Sequence, residues 1–194
     1  MNKLEKLLLE VRACRACEGK LPLGPRPIVR ATVHARVLIV GQAPGTKVHK
    51  TGVPWNDPSG DRLRGWLGVD RDFFYNEENI AIIPMGLCYP GKAPNGDMPP
   101  RKECAPLWFD KLHALLPNIG LTLLVGHYAQ AHYLNTRRKA TLTDTVANYA
   151  EYLPEYFPLP HPSPRNLMWL RRNDWFERDV VPALKREFSA RFRV

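Results

Sequence analysis

The stretch VLIVGQAPG, at residues 37–45, decides the class of fold that this sequence predicts. Its first four residues are a continuous apolar run, and the next five form a tight loop that contains glycine and proline. A short apolar run bounded by turn residues is typical of a strand that is buried on both faces. We therefore predict a strand at 37–40, followed by a loop whose backbone N–H groups could cradle an anionic or carbonyl group.

Three further apolar runs have the same character, at 80–83, 121–125 and 156–159. Helical patterns alternate with the runs, and these lie at the N-terminus, at 59–67 with Ser59 as N-cap, at 101–116, at 127–134, and at 174–192 with a kink at Pro182. This alternation predicts an α/β fold: one domain over residues 1–194, a three-layer sandwich with a central four-stranded parallel sheet flanked by helices. Because ligands bind such sheets beyond the carboxyl ends of the strands, we expect the chemistry directly after each strand.

The composition favours a nucleic-acid partner and a cytoplasmic location. The chain has 194 residues, 44% of them hydrophobic, which is enough to fill one core without disulfides. The net charge of +9 favours a polyanion, because each neutralised phosphate releases counterions. No run approaches the roughly 20 apolar residues of a membrane span, and the N-terminus has the pattern of an amphipathic helix and not of a signal peptide. We expect a monomer that does not associate with membranes.

Four cysteines, Cys14, Cys17, Cys88 and Cys104, point to a metal cofactor. In the cytoplasm they are reduced thiols, and four soft thiolates favour an iron–sulfur cluster or zinc. Structural zinc sites usually show two close pairs, whereas only Cys14 and Cys17 form a C-x2-C pair here. The spacing therefore favours a [4Fe–4S] cluster, and four core cysteines are the alternative.

A second distinctive loop, HPSPRN at 161–166, follows the fourth predicted strand. Its prolines make it rigid, and it presents an imidazole and then an arginine at the edge where ligands bind. GQAPG after the first strand and HPSPRN after the last resemble the signature loops of the uracil-DNA glycosylase superfamily, whose members carry GQDPY, GEAPG or similar, and then HPSP or similar. The stretch TGVPWNDPSGD at 51–61 and the cysteine spacing are similar to its iron–sulfur families, and the resemblance extends from about Cys14 to the final helix.

The resemblance implies a DNA-repair glycosylase that flips a damaged base out of DNA and hydrolyses its glycosidic bond, with a structural [4Fe–4S] cluster. By resemblance, Trp55 is the aromatic platform for the flipped base, and the backbone N–H groups of Gln42 and Ala43 bind a base carbonyl. His161 donates a hydrogen bond to the departing base, for which a neutral imidazole is sufficient.

Residues of the second loop are expected to hold the DNA. By resemblance, Ser163 grips phosphates, while Arg165, Asn166 and Leu167 fill the hole that the flipped base leaves in the duplex. Further along the chain, Arg171 and Arg172 add phosphate contacts or form a solvated basic face of a helix.

The sequence departs from the family pattern at two places. The first loop contains no carboxylate, so Asp57 is expected to position the attacking water, with Asp61 as the fallback or as a first-turn partner of the helix dipole. Pro84 stands where the superfamily has its uracil-reading Asn. The excised base could therefore be uracil, another deaminated base or another lesion. Met85 and Tyr89 could shape the pocket, and core packing is the equal alternative for Met85.

Three other functions fit parts of the pattern. One is a non-catalytic iron–sulfur protein that binds DNA, in which both loops only hold the fold. A second is a member that traps uracil covalently through a histidine; that branch carries GEQPG and a basic loop ending in His, whereas the basic segment 136–139 has no histidine. The third is a zinc-bound RNA-binding protein.

Overall fold

The computed structural model describes residues 1–94 and 96–192. Its strands are β1 (Val37–Val40), β2 (Ile80–Ile82), β3 (Lys92–Ala93), β4 (Gly96–Asp97), β5 (Leu121–Val125) and β6 (Tyr156–Leu159). Four of them form a parallel sheet in the order β2-β1-β5-β6, and β3 pairs separately with β4 in antiparallel orientation. The predicted α/β fold with a central four-stranded parallel sheet is confirmed.

The α-helices are α1 (Lys3–Arg12), α2 (Thr46–Thr51), α3 (Pro58–Leu67), α4 (Arg71–Tyr75), α5 (Asp110–His113), α6 (His127–Leu134), α7 (Leu142–Ala147), α8 (Leu167–Arg172) and α9 (Val181–Ala190). In the part of the chain that the structure describes, no helix is long and apolar enough to cross a membrane.

Hydrophobic clusters cover both faces of the sheet and explain the continuous apolar runs. On one face, α1, α5 and α6 pack on alternate strand residues such as Leu38 and Val40. On the other face, α3 and α9 pack on the intervening residues, such as Val37 and Ile39. A strand with helices on both faces has no polar side, so β1 and β5 are buried along their whole length. The predicted three-layer arrangement is therefore confirmed.

Helix α3 begins one residue earlier than predicted and has a different N-cap. The side chain of Asp57 accepts a hydrogen bond from the Gly60 N–H at 2.9 Å, and Pro58 occupies the first helical position. Proline is favoured there because its missing N–H would have no partner inside the helix. Ser59 lies buried in the first turn, so the prediction of Ser59 as N-cap was wrong.

Two predicted helices contain wide turns in place of regular α-helix. The segment predicted at 101–116 consists of a π-helical turn at Ala105–Phe109 followed by α5. The terminal segment has a π-helical turn at Phe176–Val180 before α9, so the irregularity precedes Pro182. Both segments contain a proline, Pro106 or Pro182, which cannot donate the hydrogen bond that a regular helix needs, and the adjacent backbone winds more widely.

Candidate active site

A cavity of about 700 Å³ lies beyond the carboxyl ends of the parallel strands. Its wall includes residues 41–45 after β1, Pro84 after β2, Gly126 after β5 and His161 after β6. The two loops that were singled out in the sequence thus meet at one cavity, because parallel strands all end at the same edge of the sheet.

The first loop presents unused backbone donors to this cavity. The carbonyl oxygens of Gly41 and Gln42 accept hydrogen bonds from the N–H groups of Met85 and Gly86, at 2.9 and 2.8 Å, which fixes the orientation of the loop. Within residues 1–94 and 96–192, the N–H groups of Gln42 and Ala43 have no protein acceptor. They are available to a carbonyl or anionic group of a ligand.

Trp55 lies beside His161 in the wall of the cavity, with 5.7 Å between the ring centroids and 33° between the ring planes. Two glycines make room for it. A Cβ at position 41 would lie 2.7 Å from Trp55 Cζ2, and a Cβ at position 60 would lie 1.7 Å from the Trp55 carbonyl oxygen. The indole therefore fits because Gly41 has no side chain, and the Trp55 backbone fits because Gly60 has none.

The backbone of Trp55 is held in a conformation that few non-glycine residues adopt. Its φ is +57°, in the left-handed region. The buried Arg64 donates a hydrogen bond to the Trp55 carbonyl at 3.3 Å and pairs with Asp61, while the Tyr75 hydroxyl donates to the Pro54 carbonyl at 2.9 Å. These contacts hold the residue in its unusual conformation.

Asp61, the fallback for positioning the water, belongs to this network and does not line the cavity. Its side chain is 71% exposed on the first turn of α3. The alternative role in that first turn, as a partner of the helix N-terminus, agrees with its position.

His161 is oriented by its own loop. The N–H of Ser163 donates to His161 Nδ1 at 3.2 Å, so the neutral ring carries its proton on Nε2. The side-chain amide of Asn166 donates to the His161 carbonyl at 2.7 Å. Burial lowers the pKa of His161 below its usual value, and the negative charge of Asp57 opposes this shift only in part. At neutral pH the ring is therefore uncharged, with Nε2–H as the donor available to a ligand.

Asp57 lines the same cavity as His161 and also caps α3. Its Oδ1 accepts the Gly60 N–H, which leaves Oδ2 for a further partner. The two residues predicted to be catalytic are thus brought together, and Asp57 is close enough to influence the titration of the imidazole.

The rest of the second loop has mixed surroundings. The Ser163 hydroxyl accepts from the Arg165 N–H at 3.2 Å. The Arg165 guanidinium lies against Gly96 of β4, where a Cβ would be only 2.5 Å from Nη1. Leu167 and Met168 are 42% and 55% exposed at the start of α8, beside the cavity-lining loop. An apolar pair is thus exposed beside the loop that lines the cavity.

Arg171 and Arg172 are exposed in the last turn of α8. Pro84 lines the cavity as predicted, but Met85 and Tyr89 do not. Both side chains are buried, and Met85 packs in the hydrophobic cluster on one face of the sheet, which agrees with the alternative that Met85 is a core residue.

The cavity residues that were missed in the sequence include His127, Tyr128, Lys92 and Asp97. His127 begins α6 two residues after β5, so the rule that sites follow strands could have found it. Lys92 and Asp97 face each other across the β3–β4 pair. Strands of two residues have no periodic pattern, and nothing in the sequence marks them.

The four cysteines lie around one small cavity near the end of α1. Cys17, Cys88 and Cys104 are buried, and Cys14 is partly exposed. Burial, with smaller contributions from the neighbouring cysteines, raises the pKa of the Cys88 and Cys104 thiols to about 11. Four thiolates at this place would therefore need positive charge among them.

Buried donors surround the cysteine cavity. The Leu87 N–H donates to Cys104 Sγ at 3.5 Å. Arg101 Nε and Trp108 Nε1 are buried, line the same cavity, and have no hydrogen-bond partner in the described part of the chain. Across residues 1–94 and 96–192, no group of three or more His, Cys, Asp or Glu side chains is arranged to hold a metal ion. The four thiols therefore share one cavity without being arranged as a metal-ion site in the described part of the chain.

One edge of the parallel sheet thus brings together an indole, free backbone donors, a carboxylate and an imidazole around a single cavity. Residues 29–185 match the family model of the uracil DNA glycosylase superfamily. Because the match covers most of the chain, the protein belongs to this superfamily. This membership supports a DNA-glycosylase-type function in DNA repair, that of a hydrolase acting on DNA. The matched region contains both loops, Cys88 and Cys104, and begins after Cys14 and Cys17.

Proposed function

We propose that the protein is a monofunctional DNA glycosylase that hydrolyses the N-glycosidic bond of a flipped-out uracil or other deaminated base and leaves an abasic site. The observation that carries the proposal is that Trp55, Asp57 and His161 line one cavity, together with the free backbone donors of the first loop. The net charge of +9 suits a DNA partner. We expect the protein to act as a monomer in the cytoplasm.

Binding begins with a base leaving the stack, which costs a few kcal/mol in a duplex. Stacking on the Trp55 ring returns about 1–3 kcal/mol. The N–H groups of Gln42 and Ala43 then meet a carbonyl oxygen of the base. Deamination replaces an amino group by a carbonyl, so donors at this place favour deaminated bases over their parents.

Cleavage proceeds through a sugar with oxocarbenium character and a base that gains negative charge. The Nε2–H of neutral His161 donates a hydrogen bond to that charge, and the neutral ring loses no proton in doing so. Asp57 uses its second carboxylate oxygen to orient water toward the sugar, and its charge stabilises the cationic sugar.

The identity of the base is less restricted than in relatives with an Asn at position 84. Pro84 offers neither a side-chain donor nor an N–H to the edge of the base. A cavity of about 700 Å³ also exceeds the size of one pyrimidine. We therefore propose that the enzyme accepts more than one deaminated base.

We further propose that the four cysteines hold a [4Fe–4S] cluster. The donor set fits, because such a cluster takes one thiolate at each iron and does not need all four sulfurs to meet at one ion. The unpartnered N–H groups of Arg101 and Trp108 suit a group that carries negative charge on its sulfurs. When bound, the cluster would be structural and would join the segment after α1 to the segments that contain Cys88 and Cys104. Iron and acid-labile sulfide in equal amounts, with broad absorption near about 400 nm, would support it, and zinc without iron would contradict it.

The experiment for the enzymatic function is a panel of oligonucleotides, single-stranded and duplex, each with one lesion base, assayed by strand scission after alkali. The wild-type protein should release at least one deaminated base. His161→Ala should raise the activation barrier of the single-turnover reaction by about 2–4 kcal/mol, the usual effect of losing one preorganised donor. His34→Ala, an exposed histidine away from the cavity, is the matched control and should keep the full rate.

Two outcomes would contradict the proposal. DNA binding without release of any lesion base would favour the non-catalytic alternative. A stable covalent protein–DNA product would favour the trapping alternative.

A further inference from the structure

We propose that Arg62 of α3 is a positioning residue that sets the separation between His161 and Asp57. The inference rests on the proposed glycosylase function for its catalytic meaning. Arg62 Nη1 donates hydrogen bonds to two successive carbonyl oxygens, those of Pro162 at 3.1 Å and Ser163 at 3.2 Å. One side chain of α3 thus grips the loop that presents the catalytic imidazole.

The 161–166 loop needs such a contact because its own hydrogen bonds are internal. Ser163 N–H donates to the His161 ring, the Asn166 side chain to the His161 carbonyl, and the Asn166 N–H to the Ser163 carbonyl at 2.9 Å. These bonds and the prolines define the shape of the loop but not its position. Within residues 1–94 and 96–192, the hydrogen bonds that reach residues 161–165 from another element are the two from Arg62.

The other end of this connection is Asp57. It is the N-cap of α3, where its side chain accepts from Gly60 and its carbonyl accepts from the Asp61 N–H at 3.1 Å. Asp57 and Arg62 therefore move as parts of one helix. Because Arg62 fixes the loop to that helix, it also fixes the imidazole relative to the carboxylate across the cavity.

A glycosylase needs this separation to be constant, since the base lies against His161 while water is held by Asp57. Displacement of a catalytic group by about 1 Å can reduce a rate by about 100-fold. Arg62→Ala should therefore lower the single-turnover rate by about 10- to 100-fold and change the Kd for lesion DNA by no more than about 3-fold. Arg62→Lys should restore part of the rate, because an ammonium can still donate to one carbonyl.

A double-mutant cycle with His161→Ala distinguishes positioning from general destabilisation. If Arg62 acts through His161, then Arg62→Ala should cost little once the imidazole is gone. Arg178→Ala is the charge-matched control, because Arg178 pairs with Asp174 and Asp179 away from the loop and should leave the rate unchanged. Additive losses in the cycle would overturn the proposal.

The salt dependence of DNA binding distinguishes a positioning role of Arg62 from a phosphate contact. If Arg62 were a phosphate contact, Arg62→Ala would weaken binding to all DNA and reduce the salt slope by roughly one unit. That result would also overturn the proposal, whereas an unchanged slope with a reduced rate supports it.

Hydrogen exchange tests the contact between Arg62 and the 161–166 loop independently of any enzymatic activity. The amides of Ser163 and Asn166, and the 15N shifts of the His161 ring, should report a more mobile loop in Arg62→Ala and an intermediate one in Arg62→Lys. Unchanged exchange in both variants would refute the connection. If the wild-type protein releases no base but exchange responds as expected, the proposed function fails while the positioning role of Arg62 stands. If Arg62→Ala does not fold, Arg62→Lys carries the same comparison.

Discussion

Substitutions at Asp57 should separate its role in catalysis from its role in holding α3. In Asp57→Asn, the amide oxygen can still accept the Gly60 N–H that Asp57 Oδ1 accepts at 2.9 Å, but the carboxylate charge is lost. In Asp57→Ala, both the charge and the cap are lost. The two variants should therefore be equally inactive and unequally stable.

The expected magnitudes follow from these two contacts. Loss of a carboxylate that orients water should reduce the single-turnover rate by about 10²- to 10⁴-fold in either variant. Loss of the cap in Asp57→Ala should lower the free energy of unfolding by about 1 kcal/mol, or about 2–4 °C in Tm for a domain of this size. Asp57→Asn should lose only a few tenths of a kcal/mol, from the weaker interaction with the helix dipole.

The matched control is Asp70→Ala. Asp70 caps α4 by accepting the Phe73 N–H at 2.8 Å, and it does not line the cavity. It should lose stability as Asp57→Ala does and keep full activity. Single-turnover cleavage of one lesion duplex, with thermal melting of each variant, provides both numbers. A wild-type rate for Asp57→Asn would remove Asp57 from the mechanism. If Asp70→Ala lost as much rate as Asp57→Ala, the role of Asp57 would be that of a helix cap alone.

Three further predictions follow from the site. First, the pKa of the His161 ring, measured by NMR, should lie below 6.5, and Asp57→Asn should lower this pKa further because the opposing charge is gone. The free energy of unfolding should fall as the pH drops below 6.5, because the unfolded chain then binds the proton more readily than the folded chain. A midpoint above 6.5 would contradict the burial argument. Second, Cys88→Ala should give colourless, less stable protein, and retention of iron and of Tm would exclude the cluster. Third, Arg165→Ala should slow cleavage of duplexes more than of single strands, because only a duplex has a hole to fill; equal losses would show a phosphate contact.

The parallel sheet could be predicted because the features that create it are local in the sequence. A strand covered on both faces must be apolar throughout, so the runs at 37–40, 121–125 and 156–159 coincide with β1, β5 and β6. The cavity could be located for the same reason, since its main parts directly follow strands. Asp57 and Trp55 were found by resemblance, and the geometry of the cavity explains their proximity to His161.

The contacts that adjust the site could not be predicted from the sequence. Arg62 and Arg64 are both basic residues on one helix, and nothing local shows that one grips the 161–166 loop while the other supports Trp55. Their partners are carbonyl oxygens, which every residue has and which therefore leave no trace in the sequence. The wide turns beside Pro106 and Pro182 escaped prediction because periodicity marks a helix but not its hydrogen-bonding pattern.

The two glycines that make room for Trp55 should have different evolutionary histories. Gly41 faces the indole ring, so a lineage that exchanged the tryptophan for a smaller side chain would be free to replace this glycine. Gly60 faces the Trp55 carbonyl oxygen, which remains whatever side chain position 55 carries. Gly60 should therefore persist in relatives with a different base platform, and variation at position 41 should accompany variation at position 55.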